Sequence, residues 1–92
     1  MKGKIQKNYK KRLLHRLKII QGQIRGLEKM VAKEDYCIDV LNQSSAVQES
    51  LKSFDMLMLE NHLRTHAADQ FKGKNIEKAV KELLKIYKLN RR

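Results

Sequence analysis

The stretch ENHLRTHAADQF, positions 60–71, sets His62 and His66 four residues apart with no Gly or Pro between them. Residues four apart on a helix share a face, so the two imidazoles can reach one metal ion. The only cysteine, Cys37, lies 25 residues upstream of His62. One thiolate and two imidazoles form a soft-to-borderline donor set. It suits three-coordinate Cu(I), or Zn(II), Ni(II) or Co(II) where further ligands join. The same residues also fit a small buried thiol and two solvated imidazoles, and spacing alone leaves both readings open.

The surrounding pattern predicts a single all-α domain over residues 1–92, with three helices, no strand, and basic N- and C-terminal tails. The first helix spans about 8–33. Its apolar residues Leu13, Leu17, Ile20, Ile24, Leu27 and Val31 are spaced 4, 3, 4, 3, 4 in a heptad-like stripe. Lys11, Lys18, Arg25 and Lys29 fall opposite it, and Arg12 and Arg16 lie one turn apart on its flank. KEDY, 33–36, is the expected break, with Asp35 as N-cap of the next helix. The second helix, about 37–69, carries Val40, Leu41, Val47, Leu51, Phe54, Leu57, Met58 and Leu63, while Ser44, Ser45 and Ala46 allow a close neighbour. KGKN, 72–75, reads as a turn, and a third helix over about 76–89 places Ile76, Val80, Leu83, Leu84 and Tyr87 on one face. GQIRG, 22–26, sits inside a helical pattern with no preceding strand, so it is not a phosphate loop. Gly22 and Gly26 each cost helix stability relative to Ala. They are expected to mark close packing or contact with a partner's backbone.

If the second helix is continuous, Cys37 and His62 stand about 37 Å apart, too far to share an ion within one chain. At roughly 100° per residue their separation ends about 20° from a whole number of turns. Cys37, His62 and His66 therefore share one stripe, with Cys37 at its far end. Antiparallel pairing of two such helices about a twofold axis near Glu49 and Ser50 brings Cys37 of each chain to the histidines of the other. An isologous homodimer of this kind has two equivalent sites.

The bulk composition bounds the rest. Ninety-two residues with no Trp, two Phe and three Tyr give a small aliphatic core, and chains of this size often gain stability by oligomerising. One cysteine excludes an intramolecular disulfide and suits a reducing cytoplasm. No apolar run reaches the length of a membrane span, and MKGKIQKNYKKR lacks the apolar stretch of a secretory signal. The net charge of +11 favours a polyanionic partner, nucleic acid first.

RLKIIQGQIRGLEKMV, DYCIDVLNQSSAV and ENHLRTH together resemble the copper-sensitive operon repressors and their nickel/cobalt- and formaldehyde-sensing relatives, over about Arg12 to Tyr87. The resemblance implies an all-helical homodimer assembled into a flat homotetramer. It implies a transcriptional repressor, not an enzyme, that holds operator DNA when unliganded and releases it when the inducer binds. It also implies ligands drawn from different protomers, with Cys37 and His62 at the positions shared by the metal-sensing branches. His66 stands where copper sensors commonly have a second cysteine. Nickel/cobalt sensors have a histidine there and add one near the N-terminus, where this chain has Ile5; the formaldehyde branch has a proline after the initiator Met, where this chain has Lys2. One thiolate with two imidazoles fits Cu(I) better than a six-coordinate Ni(II) or Co(II) site. Copper is therefore favoured, with nickel, cobalt or formaldehyde response as the alternative. Tyr36 adjoins the cysteine in the chain, and the resemblance places an acidic residue of the third helix near the site. Glu82 is the match, as partner of a ligating histidine.

For DNA, the resemblance points to Arg16 and to a basic residue of the second helix matching Lys52. The residues themselves add Lys10, Lys11, Arg12, Lys18 and Arg25, a distributed basic surface without a helix-turn-helix signature. Such a surface suits phosphate contact and DNA shape more than base reading. His15, on the polar side of the first helix, is expected to face solvent or DNA. A non-specific architectural DNA-binding protein would share the charge but not the Cys-His-His stripe. A thiol enzyme would need an activated nucleophile turn that the sequence around Cys37 lacks. Neither a membrane nor a small-molecule substrate is implied.

Overall fold

The computed structural model describes the backbone of residues 3–67 and 76–90, and the side chains there except those at 66, 67, 76, 79 and 87–90. Helix α1 runs Lys7–Ala32 and α2 runs Cys37–His62. A π-helical turn, Leu63–Ala67, follows α2, and α3 spans Ile76–Asn90. The described residues contain no strand. The expected KGKN turn and positions 68 and 69 of the expected second helix lie outside the described residues.

Helices α1 and α2 form an antiparallel hairpin in which Tyr9 meets Glu60, Arg16 meets Ser53 and Gln23 meets Gln43. Its core is Tyr9, Leu13 and Leu57, with Phe54 and Met58 packed against them; Ile20 and Val47 are buried further along. Each such side chain contributes about 1.5–3 kcal/mol on burial, so the core is modest. The chain is elongated, 56 × 28 × 18 Å along its principal axes, with a large surface for so small a core. Outer apolar positions therefore stay uncovered. Leu13 and Ile20 of the α1 stripe are buried, but Ile24 and Val31 are exposed. Ile38 and Leu41 at the start of α2, and Val80 and Leu84 on α3, are exposed as well.

The first turn of α1 holds no acidic residue and begins with Lys7, a poor match to the helix dipole, and Gln6 makes no side-chain cap. The start of this helix is fixed instead by tertiary contacts from the end of α2, described below.

Asp35 does not cap α2. Tyr36 occupies the N-cap position without a side-chain cap bond. The break is built from the other side, as a C-terminal lock on α1. The N–H of Asp35 donates to Met30 O at 2.9 Å and that of Glu34 to Val31 O at 3.0 Å. This is the Schellman pairing, with Glu34 in the left-handed region at φ 57°, where glycine is usual. The Asp35 carboxylate lies 3.7 Å from Lys33 Nζ.

The expected continuous α-helix to position 69 also needs correction, because α-helical bonding ends at His62. The N–H of Leu63 is shared between Leu59 and Glu60 carbonyls. The Thr65 hydroxyl donates to the Asn61 carbonyl at 2.8 Å. A hydroxyl occupying the carbonyl that an α-helical N–H would use favours the wider i→i+5 turn. Among the described residues, no close packing is found at the two glycines. A Cβ at Gly22 or Gly26 would meet only the Arg25 guanidinium or the Gln43 amide, each at an ordinary 3.8 Å.

Candidate metal centre and nucleic-acid interface

Cys37 is the first residue of α2, with its thiol free and exposed; His62 is the last. One unbroken helix separates them by roughly 37 Å. Among the described residues, no three His, Cys, Asp or Glu side chains come together to hold an ion. The single chain thus carries two separated parts of a ligand set. At one end, His62 Nε2 lies 3.3 Å from Glu82 Oε2, with both side chains half-buried. A carboxylate beside one ring nitrogen can orient an imidazole. The backbone of His66 lies in the π turn. The wider turn rotates each residue less about the axis, keeping His66 nearer the line of His62 than the roughly 40° offset of an α-helical i,i+4 pair. The His66 side chain lies outside the described residues. Tyr36, 69% exposed, stands beside Cys37 at the opposite end of α2 from Glu82.

The end of α2 also holds the N-terminal arm, through residues that the sequence reading did not single out. Asn61 is only 1% exposed. Its Oδ1 accepts from the Gln6 N–H at 3.0 Å, and its Nδ2 donates to Lys4 O at 2.9 Å. The Thr65 hydroxyl lies 3.4 Å from that same carbonyl. The signal was present: Asn61 and Thr65 are weak helix formers one turn apart, which belong in a helix only when their polar groups are used. Tyr9 was missed too. It is buried, and its hydroxyl donates to Glu60 Oε2 at 2.7 Å. The hydrogen bond to Glu60 and burial hold its phenol above the ordinary 10.0, against the pull of the Arg64 charge.

The candidate DNA-contacting residues divide by position. On α1, Lys11, Lys18 and Arg25 lie on the side away from Tyr9, and Lys10 lies on a flank; all four are exposed. Arg12 and Arg16 border the α1–α2 seam. Arg12 lies over the Tyr9 ring, 5.7 Å from its centroid, and Arg16 Nη1 donates to Ser53 Oγ. Lys52, exposed on α2, lies 3.6 Å from Glu49. His15 is exposed on α1. No helix of the described residues is long and apolar enough to cross a membrane.

An elongated all-helical hairpin with thiol and imidazole donors at opposite ends of one helix, under a strongly basic surface, defines a class of helical metal-responsive regulators. Residues 9–88 match the family described as metal-sensitive transcriptional repressor. The chain is similar to the copper-sensing transcriptional repressor CsoR of Bacillus subtilis strain 168, 42% identical over 79 residues, covering 86% of this chain and 78% of that protein. It is 37% identical over 79 residues to the CsoR of Mycobacterium tuberculosis H37Rv, covering 86% of this chain and 66% of that one. The structure is similar to the crystal structure of the copper-sensing repressor CsoR with Cu(I) from Geobacillus thermodenitrificans NG80-2. The TM-score is 0.85 at 35% identity, over 100% of this chain and 95% of that one. The chain belongs to the metal-sensitive transcriptional repressor family. By membership it is a regulator that acts on DNA and not an enzyme.

Proposed function

We propose that the protein is a Cu(I)-responsive repressor. Without metal it holds operator DNA, and with Cu(I) held by Cys37 of one chain and the partner's His62 and His66 it lets go. The observation that carries this reading is that Cys37 and His62 are the first and last residues of one helix. Such a pair cannot meet within a chain, yet meets twice when two α2 helices pair antiparallel. Exposed Leu41 and Leu51 support the pairing, since both fall within roughly 40° of the Cys37–His62 line on the helix and supply apolar contact. A thiolate with two imidazoles suits Cu(I) better than Ni(II), Co(II) or Zn(II), which favour more ligands. The relatives bearing copper-sensing names support the same choice. An imidazole with a carboxylate beside its Nε2 offers Nδ1 for ligation. When bound, the ion would supply a cross-link between two chains.

The exposed apolar residues of α1 and α3, Ile24, Val31, Val80 and Leu84, support assembly of two dimers into a homotetramer. Tyr36 is the residue beside the thiolate, and Glu82 the partner of His62. Arg16 and Lys52, with Lys10, Lys11, Arg12, Lys18 and Arg25, form the DNA-facing surface, and the protein acts in the cytoplasm. The test begins with a duplex enriched by the metal-free protein from a random-sequence pool. That duplex is titrated off with Cu(I), Ni(II), Co(II), Zn(II) or formaldehyde in turn. Release by Cu(I) at one equivalent per chain is expected; release by another inducer and not by Cu(I) overturns the copper assignment.

A further inference from the structure

A groove of about 420 Å³ opens between α1 and the last turns of α2. Arg12, Arg16, Ser53 and Glu60 line it above an apolar floor that includes Met56 and Leu57. Among the described residues, neither guanidinium makes an ion pair with a carboxylate. Arg16 donates to the Ser53 hydroxyl, and Arg12 lies over the Tyr9 ring. Arg64, one turn beyond Glu60, adds its positive charge near the Tyr9 hydroxyl. Two guanidiniums, Arg12 and Arg16, thus line one groove, each a planar fork of N–H donors of the kind that recognises phosphate.

Among the described residues, the one carboxylate lining this groove is Glu60, and it is engaged elsewhere. Its Oε2 accepts the Tyr9 phenol at 2.7 Å. A carboxylate and a phosphate compete for the same guanidinium donors. While Tyr9 holds Glu60, the forks of Arg12 and Arg16 stay open to an incoming anion.

We propose that Glu60, parked on Tyr9, is an internal counter-charge that sets how tightly the Arg12–Arg16 groove takes a DNA phosphate, an inference that rests on the DNA-binding reading above. Loss of the phenol lets the carboxylate turn to the arginines and fill their donors. Loss of the carboxylate's charge leaves the phosphate unopposed. The two partners of one hydrogen bond therefore act on DNA affinity in opposite directions. A purely structural contact would not behave so, because truncating either side would loosen the same packing. Glu60 and Arg64 flank His62 in the chain, so this device lies on the segment that also carries the histidines.

The test uses metal-free, full-length protein and a duplex enriched by the parent from a random-sequence pool, with anisotropy read over a salt series. Glu60→Gln is expected to tighten binding several-fold and Tyr9→Phe to weaken it several-fold. The double variant should match Glu60→Gln, since without the charge there is nothing for Tyr9 to restrain. Arg12→Ala should lower the slope of log affinity against log salt by about one, as for one lost phosphate contact. Glu60 is exposed, so Glu60→Gln carries the test should Tyr9→Phe fail to fold. If Glu60→Gln leaves affinity unchanged or lowers it while the parent binds, the proposal is overturned and the DNA reading stands. If the parent enriches no duplex at all, the DNA reading falls and this inference falls with it.

Discussion

Glu82 meets His62 across the contact between α3 and the end of α2, its Oε2 3.3 Å from the ring's Nε2. The contact links the third helix to the histidine-bearing end of the second. It is thus a physical link by which occupancy of the site can bias the packing of α3. Glu82→Gln keeps the shape and removes the charge. The expected outcome is copper affinity reduced by about 10–100-fold, with a smaller copper-induced loss of DNA affinity than in the parent. Coupling of this kind is typically about 1–3 kcal/mol and is reciprocal, so DNA must weaken copper binding by the same factor. Operator affinities of apo and copper-loaded Glu82→Gln, measured side by side, check it. A shift equal to the parent's would place the coupling in helix packing alone.

Asn61→Ala should destabilise the fold by about 1–3 kcal/mol, because the Gln6 N–H and Lys4 carbonyl lose their buried partner. Amide exchange at Gln6 should rise more than exchange in the middle of α2. A melting temperature and exchange pattern like the parent's would show that the arm is not held by this side chain.

Glu34→Gly should stabilise. A non-glycine residue in the left-handed region costs about 1–2 kcal/mol, offset in part by the roughly 0.5–1 kcal/mol of extra freedom that glycine has in the unfolded chain. Thermal melts should show a small rise, while a drop would mean that the Glu34 side chain stabilises the turn.

Tyr9 implies a loss of stability at alkaline pH. Its hydrogen bond to Glu60 and its burial raise the phenol above 10.0 in the folded chain. The folded form therefore keeps its proton longer than the unfolded form. The corresponding stability is full below about 10 and lost as pH rises through the folded value. Denaturant melts across that range should show a flatter alkaline limb in Tyr9→Phe; an identical limb would remove Tyr9 as the cause.

Much of this architecture is legible in the residues because helices advertise their buried face. The spacing of Leu13, Leu17 and Ile20 locates the seam of α1. What it does not mark is where intramolecular cover ends, since Ile24 and Val31 carry the same period as Leu13 yet stay exposed in the single chain. The stripe also reaches back to Tyr9, four residues before Leu13, where one aromatic among lysines hides the pattern. The break at 33–36 is legible in KEDY, but its chemistry is not. A Schellman lock built on a left-handed Glu34 leaves no glycine in the sequence to announce it. Cys37 and His62 were legible as two ends of one stripe. The π turn after His62 was not, because it depends on a hydroxyl-to-carbonyl bond rather than on composition.

The central claim is that the site is shared between chains, and mixing two inactive variants tests it most directly. Cys37→Ala retains the histidines, and His62→Ala retains the thiolate. Each homo-oligomer should therefore lack a complete site and fail to compete with a Cu(I) chelator. Unfolded together and refolded as a mixture, the two should form hybrid dimers with one intact site per dimer. Those dimers should regain chelator-resistant Cu(I) at one ion per hybrid dimer. If the refolded mixture binds no more copper than the separate variants, the ligands do not come from two chains and the account is contradicted.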